Sequence, residues 1–155
     1  MEIDRVELPR QTYAYIETRC AISGPAIADA MARGFGDLFA WLGAEGIAPL
    51  SPPMAVYPGM PDREGMTLRC AALIPEAVAA RAPVGIDTLP EGPALTALHI
   101  GAYASMNRTH DALWTEARAK GLVSRMPVWE IYEDDPGDVP EERLRTRILH
   151  PVERA

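Results

Sequence analysis

The sequence predicts an α+β fold. Two tandem strand–helix–strand–strand modules pair about a pseudo-two-fold axis, giving an antiparallel sheet with two main helices. Three observations predict it. Two stretches carry apolar residues at helical spacing, and strand-like segments precede and follow each of them. The second half repeats the first at an offset of 75 residues. The chain has 155 residues, about twice that offset, so two modules use up its length.

Residues 12–20 are rich in β-branched and aromatic types and read as a strand. Ser23-Gly-Pro25 opens a helix, because Ser caps well and Pro is tolerated in a first turn. Ile27, Ala30, Met31, Phe35, Leu38 and Leu42 recur at helical spacing to about Ala44, and Gly46 suits the left-handed residue that ends a helix. Gly34 and Gly36 inside it are expected to let the helix pack closely on a sheet. Pro49, Pro52 and Pro53 form a rigid connector to a short strand, Met54–Tyr57. A turn-rich loop at 61–65 leads to a strong strand from Met66 to Ile74. The Ala/Pro/Gly-rich stretch 75–93 is expected to hold an extended edge segment at Val84–Leu89. Ala94–Ile100 is a strand, and Gly101-Ala-Tyr103 turns into the second helix, with Met106, His110, Leu113 and Ala117 on one face. Gly121 ends it. Val128–Tyr132 and Arg145–His150 are the last strands. Module one is about 1–80 and module two about 90–152.

The repeat is read from seven identities over residues 31–57: Met31/Met106, Arg33/Arg108, Leu38/Leu113, Ala44/Ala119, Gly46/Gly121, Pro52/Pro127 and Tyr57/Tyr132. Each falls on a helix face, a helix end, a pre-strand proline or a strand aromatic. Strand side chains alternate, so Glu130 and Tyr132 share a face, matched in the first half by Ala55 and Tyr57. A carboxylate thus stands where the other half has alanine. Structural needs common to both modules do not produce that difference, which makes Glu130 the most informative residue of the chain.

Composition excludes several classes. With 48% hydrophobic residues the chain is no disordered acidic tail. No apolar run reaches the roughly 18 residues of a membrane span, and no signal-peptide layout is seen. A soluble, cytoplasmic protein without membrane contact is expected. The net charge of −7 argues against direct nucleic-acid binding. Cys20 and Cys70 make neither a disulfide framework nor a metal site, and His99, His110 and His150 show no metal-ligand spacing. His99 reads as a core or edge histidine. No cofactor is implied, and no phosphate loop or nucleophile elbow occurs.

At several motifs the sequence resembles the GyrI-like family, the bacterial transcription activator effector-binding domains. They are His99-Ile-Gly-Ala-Tyr103 leading into a helix with Trp114, then Trp129-Glu-Ile-Tyr132, Asp135-Pro136, Leu144-Arg-Thr-Arg-Ile148 and Pro151. Ala102 departs from the family, where many members have Pro, as does the long linker at 75–93. The resemblance implies a central groove between the modules that binds small molecules, lipophilic cations in multidrug-sensing members, with the carboxylate matching Glu130 inside it. Other members are implicated in gyrase inhibition or in hydrolysis of cyclopropane-bearing toxins. A regulator or gyrase is therefore a possible protein partner. No stretch of about 50 residues is left over for a helix-turn-helix.

The residue chemistry points the same way. A carboxylate among aromatics loses hydration, and a cation restores the lost electrostatics, with cation–π attraction of about 0.5–2 kcal/mol per ring. The expected ligand-binding residues are Glu130, Tyr132, Tyr57, Tyr103, Trp41 and Trp114. If the protein is an enzyme, Glu130 is the general acid/base and Tyr132 its helper.

Overall fold

Ser23 opens the first helix as its residue type suggests. Its Oγ accepts the backbone N–H of Ala26 at 3.2 Å, and Pro25 sits in the first turn. The computed structural model describes residues 1–155. Strands β1 (Ile3–Leu8) and β2 (Gln11–Cys20) precede helix α1 (Gly24–Ala44). Strands β3 (Met54–Tyr57), β4 (Met66–Leu73), β5 (Gly85–Leu89) and β6 (Gly92–Ile100) follow. Helix α2 (Met106–Ala119) leads to β7 (Leu122–Ser124), β8 (Val128–Tyr132) and β9 (Arg145–Arg154). Gly46 and Gly121, paired by the repeat, end the helices at φ of 69° and 68°. No helix is long and apolar enough to cross a membrane.

The elements expected from sequence are present, and three features were missed. Strand β1 spaces its apolar residues Ile3, Val6 and Leu8 irregularly among charges, so it gives no alternating signal. Strand β7 has three residues, below the length at which periodicity can be read. Strand β9 runs on past Pro151 to Arg154, with Pro151 paired to Ala94.

All the strand pairings are antiparallel, in the order β1-β6-β9-β8-β3-β4-β2-β5, with β7 on the far end of β9. The order reads symmetrically about the β3–β8 pair. There Ala55 lies opposite Glu130, Met54 opposite Ile131 and Val56 opposite Trp129. Since Glu130 is also the 75-residue repeat of Ala55, the pseudo-two-fold axis passes through this pair. The next pairings keep the relation: Ala55 faces Cys70, as Glu130 faces Ile148.

Space and sequence differ at the edges. Strand β1, first in the chain, lies beside β6 in the later half of the sheet, and β5 lies beside β2 in the earlier half. Only Pro9 and Arg10 join β1 to β2, and only Pro90 and Glu91 join β5 to β6. Three peptide steps reach at most about 10 Å, so these links pull the two edges together and the sheet must curl. Leu89 of β5 and Leu8 of β1 meet in one cluster with Met54, Val56, Trp129 and Leu149. That cluster fills the inside of the curl.

The alternate residues face the helices. Helix α1 packs on β2 and β4, and α2 on β6 and β9. Close packing is visible at Gly34, where an added Cβ would come within 2.5 Å of Cys70 Sγ. Gly36 is different: nothing lies within 4 Å of its would-be Cβ, so it plays no part in the contact expected of it. The two helices stand on either side of β3 and β8 and leave a cavity of about 670 Å³ between them.

Candidate functional site

The cavity floor comes from the paired central strands. Tyr57 of β3 and Val128, Glu130 and Tyr132 of β8 point the same way, as strand parity requires. Helix α1 adds Ile27, Ala28 and Met31 to one wall, and α2 adds Met106, His110, Asp111 and Trp114 to the other. Met60, Met66 and Met126 also line it. Methionine is flexible and polarisable, so such a wall adapts to the shape of its guest.

Glu130 is 5% exposed. Three donors solvate its carboxylate in place of water. Tyr132 and Tyr57 hydroxyls donate to Oε1 at 2.7 Å and 3.2 Å. His110 Nε2 meets Oε2 at 2.7 Å. Burial first, and then the charge of Glu130, hold both phenols well above the usual tyrosine range, so they stay neutral donors. No Arg or Lys forms an ion pair with Glu130; the one basic group bonded to it is His110.

Behind His110 stands a second imidazole. His110 Nδ1 and His150 Nε2 are 2.8 Å apart, and Trp114 packs on both rings at centroid distances of 5.7 Å and 4.9 Å. His150 is fully buried and its Nδ1 has no partner. Burial, then the neighbouring His110, push its pKa down to about 3. Glu130 fixes a hydrogen of His110 on Nε2. A single hydrogen then joins the two rings: donated by His150 Nε2 when His110 is neutral, which leaves His150 Nδ1 bare, or by His110 Nδ1 when His110 is charged.

Of the residues singled out in the sequence, Glu130, Tyr132, Tyr57, Tyr103 and Trp114 all line this cavity. Tyr103 is at the mouth, 5.4 Å from the Tyr132 ring. Trp41 is not among them. It lies two turns beyond Phe35 on α1 and packs beside the Leu38 and Leu42 cluster against β2 and β4. His99 is buried away from the cavity lining, tying Thr109 Oγ1 and the Ala102 carbonyl at 2.8 Å and 2.9 Å.

His110 and His150 were missed as partners of Glu130. A signal was available. The repeat equivalent of His110 is Phe35, by the same 75-residue offset. Sheet register makes Ala72 the equivalent of His150, two residues beyond the Cys70/Ile148 match. The symmetry is therefore broken three times by a polar residue in the second half, and the three are in contact.

A family model for the GyrI-like small molecule binding domain matches residues 1–153. No curated protein matches the chain. Among solved structures, the EcmrR C-terminal domain superposes with a TM-score of 0.84 at 16% identity, covering 99% of this chain and 98% of that one. The EcmrR chain in a DNA complex gives 0.80 at 16% identity, and there this chain, 99% covered, spans 58% of its length. SAV2435 bound to tetraphenylphosphonium gives 0.63 at 18% identity, covering 99% and 94% of the two chains. A hydrolase from Listeria innocua gives 0.66 at 15% identity, covering 98% and 92%. At these identities the likeness is one of fold.

Proposed function

Because the chain belongs to the GyrI-like small-molecule-binding domain family, we propose that its cavity takes amphipathic, aromatic organic cations and that Glu130 is the carboxylate they pair with. One observation carries this reading. A carboxylate only 5% exposed sits on the floor of a methionine- and tyrosine-lined cavity with no Arg or Lys paired to it. A buried carboxylate with no permanent counter-charge favours a guest that brings one. Tyr57, Tyr103, Tyr132 and Trp114 supply ring faces for it. The tetraphenylphosphonium held by a structural neighbour is a cation of that kind.

The protein is read as a binding module, a sensor or sequestering domain. Calorimetry with tetraphenylphosphonium tests it. Glu130→Gln is expected to weaken binding by about tenfold or more; equal binding by both proteins would sink the reading. The same mixtures, repeated with electrophilic and strained-ring compounds and analysed for products, decide between binding and hydrolysis, for which Glu130 would serve as general acid/base with Tyr132 beside it. Turnover abolished by Glu130→Gln would replace the binding-module reading with an enzyme.

A further inference from the structure

Binding of a cation by Glu130 leaves the pair of histidines behind it without a role. Their placement is specific. His110 joins a carboxylate at 2.7 Å to a second imidazole at 2.8 Å, so both of its ring nitrogens are engaged and neither is free to touch a ligand. All three groups are buried, at 5%, 8% and 0% exposure for Glu130, His110 and His150. A carboxylate this enclosed needs a positive partner, and the protein supplies one candidate.

We propose that His110 is the built-in counter-ion of Glu130 and sets the charge selectivity of the cavity: it holds a proton against the carboxylate in the empty site and gives that proton up when a cation binds. The inference rests on the cation-site reading above.

The two end states are defined by the hydrogen bonds. In the empty site His110 carries hydrogen on both nitrogens, Nε2–H donating to Glu130 and Nδ1–H to His150 Nε2, and His150 carries its hydrogen on Nδ1. With a cation in place His110 keeps hydrogen on Nε2 alone. His150 then donates from Nε2 and its Nδ1 is bare. The pair holds three ring protons in the first state and two in the second, so one proton leaves for solvent. His150 changes tautomer without becoming charged, in keeping with its depressed pKa of about 3.

Few other groups compete for the proton. From β3 and β8, Tyr57 and Tyr132 face the site as neutral phenols. From β9 the neighbour is His150. On α2, Trp114 covers His110 and the adjacent Asp111 stands at the exposed rim. Helix α1 and the 59–66 loop line the cavity with Gly, Ala, Ile, Met and Pro and no charged side chain. Net charge within the floor is zero with the proton and −1 without it. Only the second state favours a cation over a neutral guest.

The test joins nitrogen-15 NMR of the imidazoles in the ligand-free protein with calorimetry of tetraphenylphosphonium, which cannot itself take or lose a proton. In the free protein His110 should show an imidazolium and His150 the Nδ1–H tautomer. Glu130→Gln should deplete the His110 imidazolium under the same conditions. In calorimetry, two buffers of different ionisation enthalpy should report release approaching one proton per cation. Affinity should then rise by about tenfold per pH unit wherever a full proton is released. His110→Gln should flatten that dependence. Two neutral imidazoles in the free protein, or tight binding without proton release, would overturn the proposal. Failure of tetraphenylphosphonium to bind would sink the cation-site reading instead, and the free-protein spectra would still decide whether His110 carries the proton.

Discussion

His150 shows what the fold does to a single ionisable side chain. Buried under Trp114 and beside His110, it stays neutral in the native protein until about pH 3. In the unfolded chain an imidazole takes up a proton near pH 6.5. Above that pH the two states bind the same number of protons. As pH falls below about 6.5, unfolding takes up a proton that the native state refuses, so stability declines by about 1.4 kcal/mol per pH unit. Between pH 7 and 5 the loss from this group should approach about 2 kcal/mol. Urea midpoints at the two pH values, for wild type and His150→Leu, measure it; the variant should lose less on acidification, and equal losses would remove His150 from the account. At this scale the sequence was partly legible. Glu130 stood out because its repeat partner is Ala55. His110 and His150 break the symmetry against Phe35 and Ala72, yet by helix face and spacing they read as a core-facing and a scattered histidine. A contact between a helix residue and a strand residue 40 positions later leaves no trace in sequence spacing.

At the scale of elements, helix α1 carries two glycines of opposite meaning. Gly34 faces Cys70 across the helix–sheet contact, where an added methyl would meet Sγ at 2.5 Å and Cβ at 3.0 Å. Gly34→Ala should therefore lift the helix and cost about 1–3 kcal/mol. Gly36 faces solvent with open space around it, so Gly36→Ala should stabilise by about 0.5–1 kcal/mol through helix propensity. Thermal melts of the two variants decide, and melting shifts of the same sign would contradict the assignment. Sequence treated the two alike because helical periodicity alone does not say which side of a glycine touches the sheet. It located both helices and the inner strands by period and capping. It passed over β1 and β7, whose residues are half-exposed or too few to show alternation.

For the whole molecule, the 75-residue repeat was readable, and so was the axis through Ala55 and Glu130 once strand parity was applied. The placement of the outer strands was not. Nothing in the residues of Ile3–Leu8 says that they pair with Gly92–Ala97 across the molecule and not with the neighbouring β2. The exchange is a product of the two short links and of sheet closure. Each half of the sheet is completed by a strand that the chain delivers from the other side of a two-residue connection. Two similar halves joined only through one central strand pair would melt in two steps. Here neither half can come apart without stripping an edge strand from its counterpart, so the halves are mechanically interlocked and should unfold as one cooperative unit. Tryptophan fluorescence, far-ultraviolet circular dichroism and calorimetry should give coincident transitions, and a resolved intermediate would refute the interlock. Polypeptides ending at Leu89 and beginning at Gly92 should in turn find each other in solution, the first lending β1 to the second, as an arm exchanged between subunits joins a dimer.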